Sequence, residues 1–327
     1  MAETEKVSPL RKLNLVFRFS YTLPFFLASV CGVAYAWTHA EMPLYIAVLI
    51  PVTVLFMALF VNFSNDYFDH VSGVDTMRFK SIDESSRSGI ETSPILKKIY
   101  WDGNPVNNGM VTTKQAKIIM AFLVAVSVML AVPIVMFGGW TVLVFGGFGL
   151  LIAFFYTAPP VNLGARGLGE IAVGVSFFLL VFASYYVATG GIWDYEILVF
   201  AMLIGVLVGL MRVADSMSGQ EVHIEAGEKS VSVLVGLDRI HILIKSVFIV
   251  VYIIVAVMVY FDLTYALLFL TLPVAAKGWS VLNKKPQYWE VFMAPVTFLM
   301  ALFTELLFIG VTIIQIYFTY NLFDGLF

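Results

Sequence analysis

"LYIAVLIPVTVLFMALFVNFSNDYFDHVSGVDT" runs from Leu44 to Thr76 and changes character halfway along. Leu44 to Phe60 carries no charge, whereas the second half gathers Asn62, Asn65, Asp66, Asp69 and Asp75. An apolar run of this kind crosses about 30 Å of hydrocarbon as a helix of roughly 20 residues. Asn62, Asp66 and Asp69 stand four and three residues apart, which puts them on one face if the helix continues. Gly73 is placed to end that helix and to turn Asp75 back toward it. Clustered carboxylates repel one another, and ionised groups near lipid are costly. A hard divalent cation relieves both problems, and Mg²⁺ prefers oxygen ligands that it shares with substrate phosphates. The cluster therefore reads either as a Mg²⁺–diphosphate site at the mouth of a spanning helix or as a solvated, asparagine-capped helix end.

Composition favours the membrane. The 327 residues are 60% hydrophobic and 13% charged, with a mean hydropathy of +0.92. That excess of apolar side chains suits a protein whose outer surface meets lipid as well as its core. Nine apolar segments are long enough to span, near 17–37, 43–62, 117–137, 140–157, 169–188, 195–213, 241–260, 262–277 and 291–319. Lipid demands internally satisfied backbone, and no barrel-like alternation is present. The expectation is an all-α integral membrane protein of about nine transmembrane helices, one domain over 1–327, with polar loops at about 63–116 and 214–240. With nine spans, all 19 Lys and Arg residues fall on one face or at its edge. The positive-inside rule then makes the N-terminus and both polar loops cytoplasmic, and the C-terminus external, in a multi-pass protein of the cell membrane. A net charge of −3 gives no reason to expect nucleic acid as a partner. Cys31 is alone, so it forms no intrachain disulfide and reads as a packing residue. No signal-peptide pattern follows the polar N-terminus. Glu305 stands inside the ninth span, where a carboxylate is a functional candidate by default.

The second polar loop, "MRVADSMSGQEVHIEAGEKSVSVLVG", offers Asp215, Glu221, Glu225 and Glu228, with Arg212 and Lys229 as basic partners. A second carboxylate centre facing the first would make a two-centre clamp on one diphosphate. Glu225 and Lys229, four residues apart, also read as a surface pair.

These residues resemble a known family. "NDYFDHVSGVDT" is similar to the first aspartate-rich motif of the UbiA superfamily of intramembrane prenyltransferases, most like the branch that prenylates 1,4-dihydroxy-2-naphthoate. "NGMVTTKQAK" from Asn108, "YTAPPVNLGARGLGE" from Tyr156 to Glu170 and "AGEKSVSVLVG" from Ala226 to Gly236 resemble further blocks in the family's order. The second motif departs from the pattern, with Gly219 and His223 where the branch often has Asp.

The resemblance implies Mg²⁺-dependent transfer of a polyprenyl group from its diphosphate to an aromatic acceptor, with diphosphate released. The acceptor it points to is 1,4-dihydroxy-2-naphthoate, in menaquinone biosynthesis. It implies metal ligation by Asp66, Asp69 and Asp75 in the first centre and by Asp215 and Glu221 in the second. Asp66, Asp69 and Tyr156 are the expected catalytic residues. Asn62, Asn65, Arg18, Arg78, Lys80, Arg166 and Lys229 are the expected substrate contacts. Tyr156 reads equally as an interfacial anchor, and Arg18 and Arg166 as ordinary positive-inside residues. Other acceptors stay open: 4-hydroxybenzoate, a chlorophyll precursor, or geranylgeranylglyceryl phosphate. A transporter is the reading from another class, but it predicts acids near the bilayer midplane rather than at helix ends.

Overall fold

The computed structural model of the protein describes residues 16–72, 104–106, 109–158, 160–217, 220, 224 and 227–324. Gly73, Asp75, Arg78, Lys80, Gly219, Glu221 and His223 lie outside the described residues.

The described chain is helical. In order come α1 (Phe19–Ala36), α2 (Leu44–Ser72), α3 (Thr113–Gly138), α4 (Trp140–Thr157), α5 (Gly169–Ala188), α6 (Tyr195–Met217), the short α7 (Val231–Val235), α8 (Leu237–Phe261), α9 (Leu272–Leu282) and α10 (Pro286–Asp324). Among the described residues, eight segments are long and apolar enough to cross a membrane, and α1 adds a shorter apolar helix. These are the nine segments expected, and the second runs on past its expected end at 62 to Ser72. The eighth differs in kind. It opens as a 3-10 helix, Leu263–Thr271, before α9 takes over. Asp262 caps that opening, its Oδ1 accepting from the Thr264 N–H at 2.7 Å.

Position in the bundle follows from which faces are apolar. Helix α6 is central, with Phe200, Ala201, Leu203, Ile204, Leu207 and Val208 all buried. It packs on α5, α8 and α10, and α1 packs on α2, α5 and α10. Helix α4 has no buried residue, so its Trp140, Leu143, Phe148 and Leu151 are placed to face lipid. A single residue, Gly139, joins α3 to α4 with φ 70° and ψ −159°, a conformation that glycine adopts without strain. Helix α2 continues well past its apolar half, so Asn62, Asn65, Asp66 and Asp69 all lie on one unbroken helix, as their spacing predicts. Cys31 is fully buried and donates its thiol to the Glu305 carbonyl at 3.4 Å, a packing position in the interior. The Glu305 side chain is also fully buried, and neither of its oxygens has a hydrogen-bond partner among the described residues.

Polar residues gather at both ends of the bundle. At the end where α1 stops and α6 starts, His39 pairs with Asp194 at 3.3 Å. There the Tyr265 hydroxyl donates to Glu196 at 3.0 Å. The hydrogen bond to Asp194 raises the His39 pKa above the ordinary imidazole range. A raised histidine pKa contributes stability that is complete below the unfolded value and lost as pH rises through the folded one. The protein should therefore unfold at a lower temperature at pH 8.5 than at pH 6. An exposed pair is worth about 1 kcal/mol or less, which for a chain this long shifts the midpoint by roughly 1–2 °C. A thermal scan of His39→Gln, in which the pH difference shrinks, is the check; an unchanged difference would remove His39 as its source.

Candidate active site

The opposite end of the bundle holds Asp66 and Asp215. Asp66 projects from α2 and is only 4% exposed. The guanidinium of Arg18 meets it, Nη2 to Oδ1 at 3.2 Å. Arg18 caps α1 with φ 47° and ψ 53°, left-handed backbone in a residue that rarely adopts it. Such strain costs about 1–3 kcal/mol and is held only where the surroundings over-determine it. Here the Asp66 pair helps to hold it, and the Arg18 guanidinium also sits 5.9 Å from the Tyr21 ring centroid. The Tyr21 phenol lies within electrostatic reach of Asp215 on α6 as well as of Arg18 and Asp66. Asp66 and Asp215, distant in sequence, therefore both lie within electrostatic reach of one tyrosine.

A second set of bonds closes the far side. Arg212 of α6 donates from Nε to the Tyr156 hydroxyl at 2.7 Å and from Nη1 to Asp215 Oδ2 at 2.6 Å. These bonds use two of the five N–H donors that a guanidinium carries. The Arg212 side chain keeps 21% of its surface exposed. Tyr156 ends α4 over a tight turn. A Cβ on Gly164 would sit 3.5 Å from its ring, and one on Gly169 would sit 3.4 Å from its hydroxyl. Small residues at both places let the turn fold beneath the ring.

The expected residues divide by location. Asp66, Asp69, Asn62 and Asn65 share α2, and Asn65 Oδ1 accepts from the Thr157 hydroxyl at 3.0 Å, tying α2 to the end of α4. The Asn62 amide nitrogen is buried with no hydrogen-bond partner among the described residues. Arg18, Tyr156 and Asp215 belong to the same region through the contacts given above. Arg166 is exposed and donates to the Pro160 carbonyl at 2.8 Å, so it braces its own turn. The Lys229 side chain is exposed, while its backbone N–H donates to the Ala165 carbonyl at 2.9 Å. Among the described residues no three His, Cys, Asp or Glu side chains form a metal-binding group.

Three further residues stand in this region that the sequence does not single out as site residues. Arg212 reads there only as a basic partner of nearby acids. Asn104 is fully buried; it donates to the Asp66 carbonyl at 2.5 Å and accepts from the Val106 N–H at 2.8 Å. Glu170 is 5% exposed at the start of α5. A buried polar residue in a loop is the signal for Asn104, but burial is not visible in one sequence.

Residues 23–303 match the UbiA prenyltransferase family. The chain is 28% identical over 266 residues to the 1,4-dihydroxy-2-naphthoate octaprenyltransferase of Haemophilus influenzae, a match covering 78% of this chain and 80% of that protein. It is 25% identical over 237 residues to the Bacillus subtilis protein of the same name, covering 71% and 67%. The solved structure of a UbiA homolog from Archaeoglobus fulgidus bound to GPP and Mg²⁺ has the same fold, with a TM-score of 0.64 at 18% identity over 94% of this chain and 99% of that one. An end of the bundle lined by acids and guanidinium groups, on a chain matched over most of its length, makes this a member of the UbiA prenyltransferase family and an enzyme that transfers prenyl groups.

Proposed function

We propose that the protein transfers a polyprenyl group from its diphosphate to 1,4-dihydroxy-2-naphthoate, the reaction named for its relatives in Haemophilus influenzae and Bacillus subtilis. What carries the reading is that two pairs, Arg18 with Asp66 and Arg212 with Asp215 and Tyr156, stand at one end of an apolar bundle, with Asp66 and Asp215 both within electrostatic reach of Tyr21. A prenyl diphosphate has the same division, with a charged head that needs polar partners and a tail that needs apolar ones.

The donor set fits Mg²⁺, because Asp66, Asp69 and Asp215 offer only oxygen. Asp66 and Asp69, with Asp75 from the loop beyond, would hold one ion, and Asp215 with Glu221 a second. Bound there, the metal supplies charge that stabilises the departing diphosphate. The chain's own groups do the rest. Arg18 holds the Asp66 carboxylate in place, so little reorganisation is needed when substrate arrives. Arg212 presents its unused N–H donors to an oxyanion from a fixed position. The Tyr156 ring stands beside this charge, and an aromatic face attracts the allylic cation formed as the carbon–oxygen bond breaks. Surrounding apolar helices exclude the water that would otherwise capture that cation.

Tyr156→Phe keeps the ring and removes the oxygen that Arg212 uses. A hydrogen bond to a charged group is worth about 1.5–3 kcal/mol, so kcat/KM for the prenyl diphosphate should fall by about ten- to a hundredfold. Steady-state kinetics with the donor varied is the measurement, and an unchanged kcat/KM would leave the hydroxyl without a role.

The reading as a whole is tested on purified protein in lipid with Mg²⁺ and geranylgeranyl diphosphate. The acceptors 1,4-dihydroxy-2-naphthoate, 4-hydroxybenzoate and geranylgeranylglyceryl phosphate are supplied in parallel and products are detected by mass. Product with dihydroxynaphthoate alone is the expected result. The departures at Gly219 and His223 favour another acceptor as the second reading, and product with one of the others would replace the first.

A further inference from the structure

Glu170 is the second residue of α5, and its carboxylate is buried. One oxygen, Oε1, accepts from two groups that are far apart along the chain. The Val231 N–H donates to it at 3.0 Å, and the Ser216 hydroxyl stands 3.4 Å from it, sharing its one proton between this oxygen and the Val213 carbonyl at 2.9 Å. Ser216 belongs to the last turn of α6, and Val231 opens α7. The second acidic stretch lies between them. A single carboxylate oxygen thus ties together the two ends of that stretch.

Neighbouring bonds reinforce the tie. The Ser232 hydroxyl donates to the Ser216 carbonyl at 2.8 Å, and the Gln220 amide donates to the Ser232 carbonyl at 2.5 Å. Ser230 caps α7, its hydroxyl accepting from the Val233 N–H at 3.4 Å. The Lys229 backbone is held separately by the Ala165 carbonyl, and its own carbonyl lies so close to Gly167 that a Cβ there would come within 2.6 Å. Helix α7 has only five residues, too few to persist without tertiary support. Glu170 supplies that support with a charge that the N-terminus of α5 favours. Arg212 lies within electrostatic reach of the same carboxylate. The second oxygen, Oε2, is buried with no hydrogen-bond partner among the described residues.

We propose that Glu170 is a positioning residue for donor binding: by holding Ser216 and Val231 on one oxygen it fixes Lys229 relative to Asp215, the two charges that flank the second acidic stretch. Asp215 immediately precedes Ser216 and Lys229 stands two residues before Val231, so both are set by the tie. The inference rests on the prenyl-transfer reading above, and it adds a residue that would touch neither substrate nor metal.

Glu170→Ala removes the acceptor, whereas Glu170→Gln keeps an oxygen at the same place. Because the acceptor for both groups is lost, the alanine variant should raise KM for geranylgeranyl diphosphate by about tenfold or more. KM for the acceptor should stay where it was, and the glutamine variant should recover most of the loss. Hydrogen exchange at the backbone amides of residues 229–235 should be faster in the alanine variant with no substrate present. A lower unfolding temperature with an unchanged donor KM would overturn the proposal and leave Glu170 a structural residue. A glutamine variant as impaired as the alanine one would overturn it too. Should the alanine variant fail to fold, Ser216→Ala removes one arm of the tie and should raise the donor KM less; an unchanged KM there counts against the proposal. Failure of the prenyl-transfer reading is separable: the wild-type protein would then show no Mg²⁺-dependent binding of geranylgeranyl diphosphate by calorimetry, whatever the exchange rates.

Discussion

Asp66→Asn should lower prenyl transfer by about a hundred- to a thousandfold, the usual cost of removing one group that stabilises transition-state charge, while the protein stays folded. The substitution is nearly isosteric and keeps the side chain's place on α2. What it removes is the negative charge that Arg18 faces at 3.2 Å and that an ion would need. A buried charge stripped of its partner is strongly destabilising, but the Arg18 side chain is 33% exposed and can be solvated in part. Turnover should therefore fall far more than the unfolding temperature. Both are measured on the same preparation, turnover by product mass and folding by a thermal scan. Full activity in the variant would remove Asp66 from the chemistry.

Gly32→Ala should be the most damaging small substitution in the bundle. A Cβ at that position would collide with the Val181 carbonyl oxygen and lie 2.9 Å from the Tyr185 backbone nitrogen. Both are backbone atoms of α5, so no side chain can swing aside to make room. Overpacking a close-packed interior typically costs about 1–3 kcal/mol and occasionally more, and contact this close belongs at the upper end. Ser29 and Ser184 share a hydrogen bond at 2.9 Å across the same helix pair, so separating α1 from α5 also breaks a buried polar contact. The expected result is a melting temperature lowered by several degrees, or no monodisperse protein in detergent. Gly310→Ala is the control, because a Cβ there meets nothing within 4 Å and should leave melting unchanged. Equal melting of the two variants would show that the helices are not packed this closely.

The spans are legible in the sequence because lipid leaves few alternatives. Charge is costly in hydrocarbon, so each interruption of an apolar run marks a boundary. The same cost makes Asp66 and Asp69 stand out. Contact across the bundle is what stays hidden. Tyr156 and Arg212 are 56 positions apart, and Glu170 and Val231 are 61 apart. Neither pair has a periodicity to announce it, and Glu170 within "GLGE" reads as one more acid until its burial is known. The 3-10 opening of the eighth span is hidden for another reason: an apolar run fixes hydropathy without fixing the helix type. Close helix crossings do leave a trace, which gains its meaning only from the packing. Gly205 and Gly209 stand four apart on α6, and a Cβ on Gly205 would come within 2.7 Å of the Gly174 carbonyl of α5. That spacing of small residues is the mark of helices in near contact.

Arg18 sets local backbone against a pair made across the bundle. Its left-handed backbone is one that glycine or asparagine adopts at little cost. Neither replacement carries the charge that meets the buried Asp66 carboxylate, and a buried charge stripped of its partner costs more than the strain relieved. Directed evolution at position 18 should therefore keep arginine under selection for folding and for turnover alike.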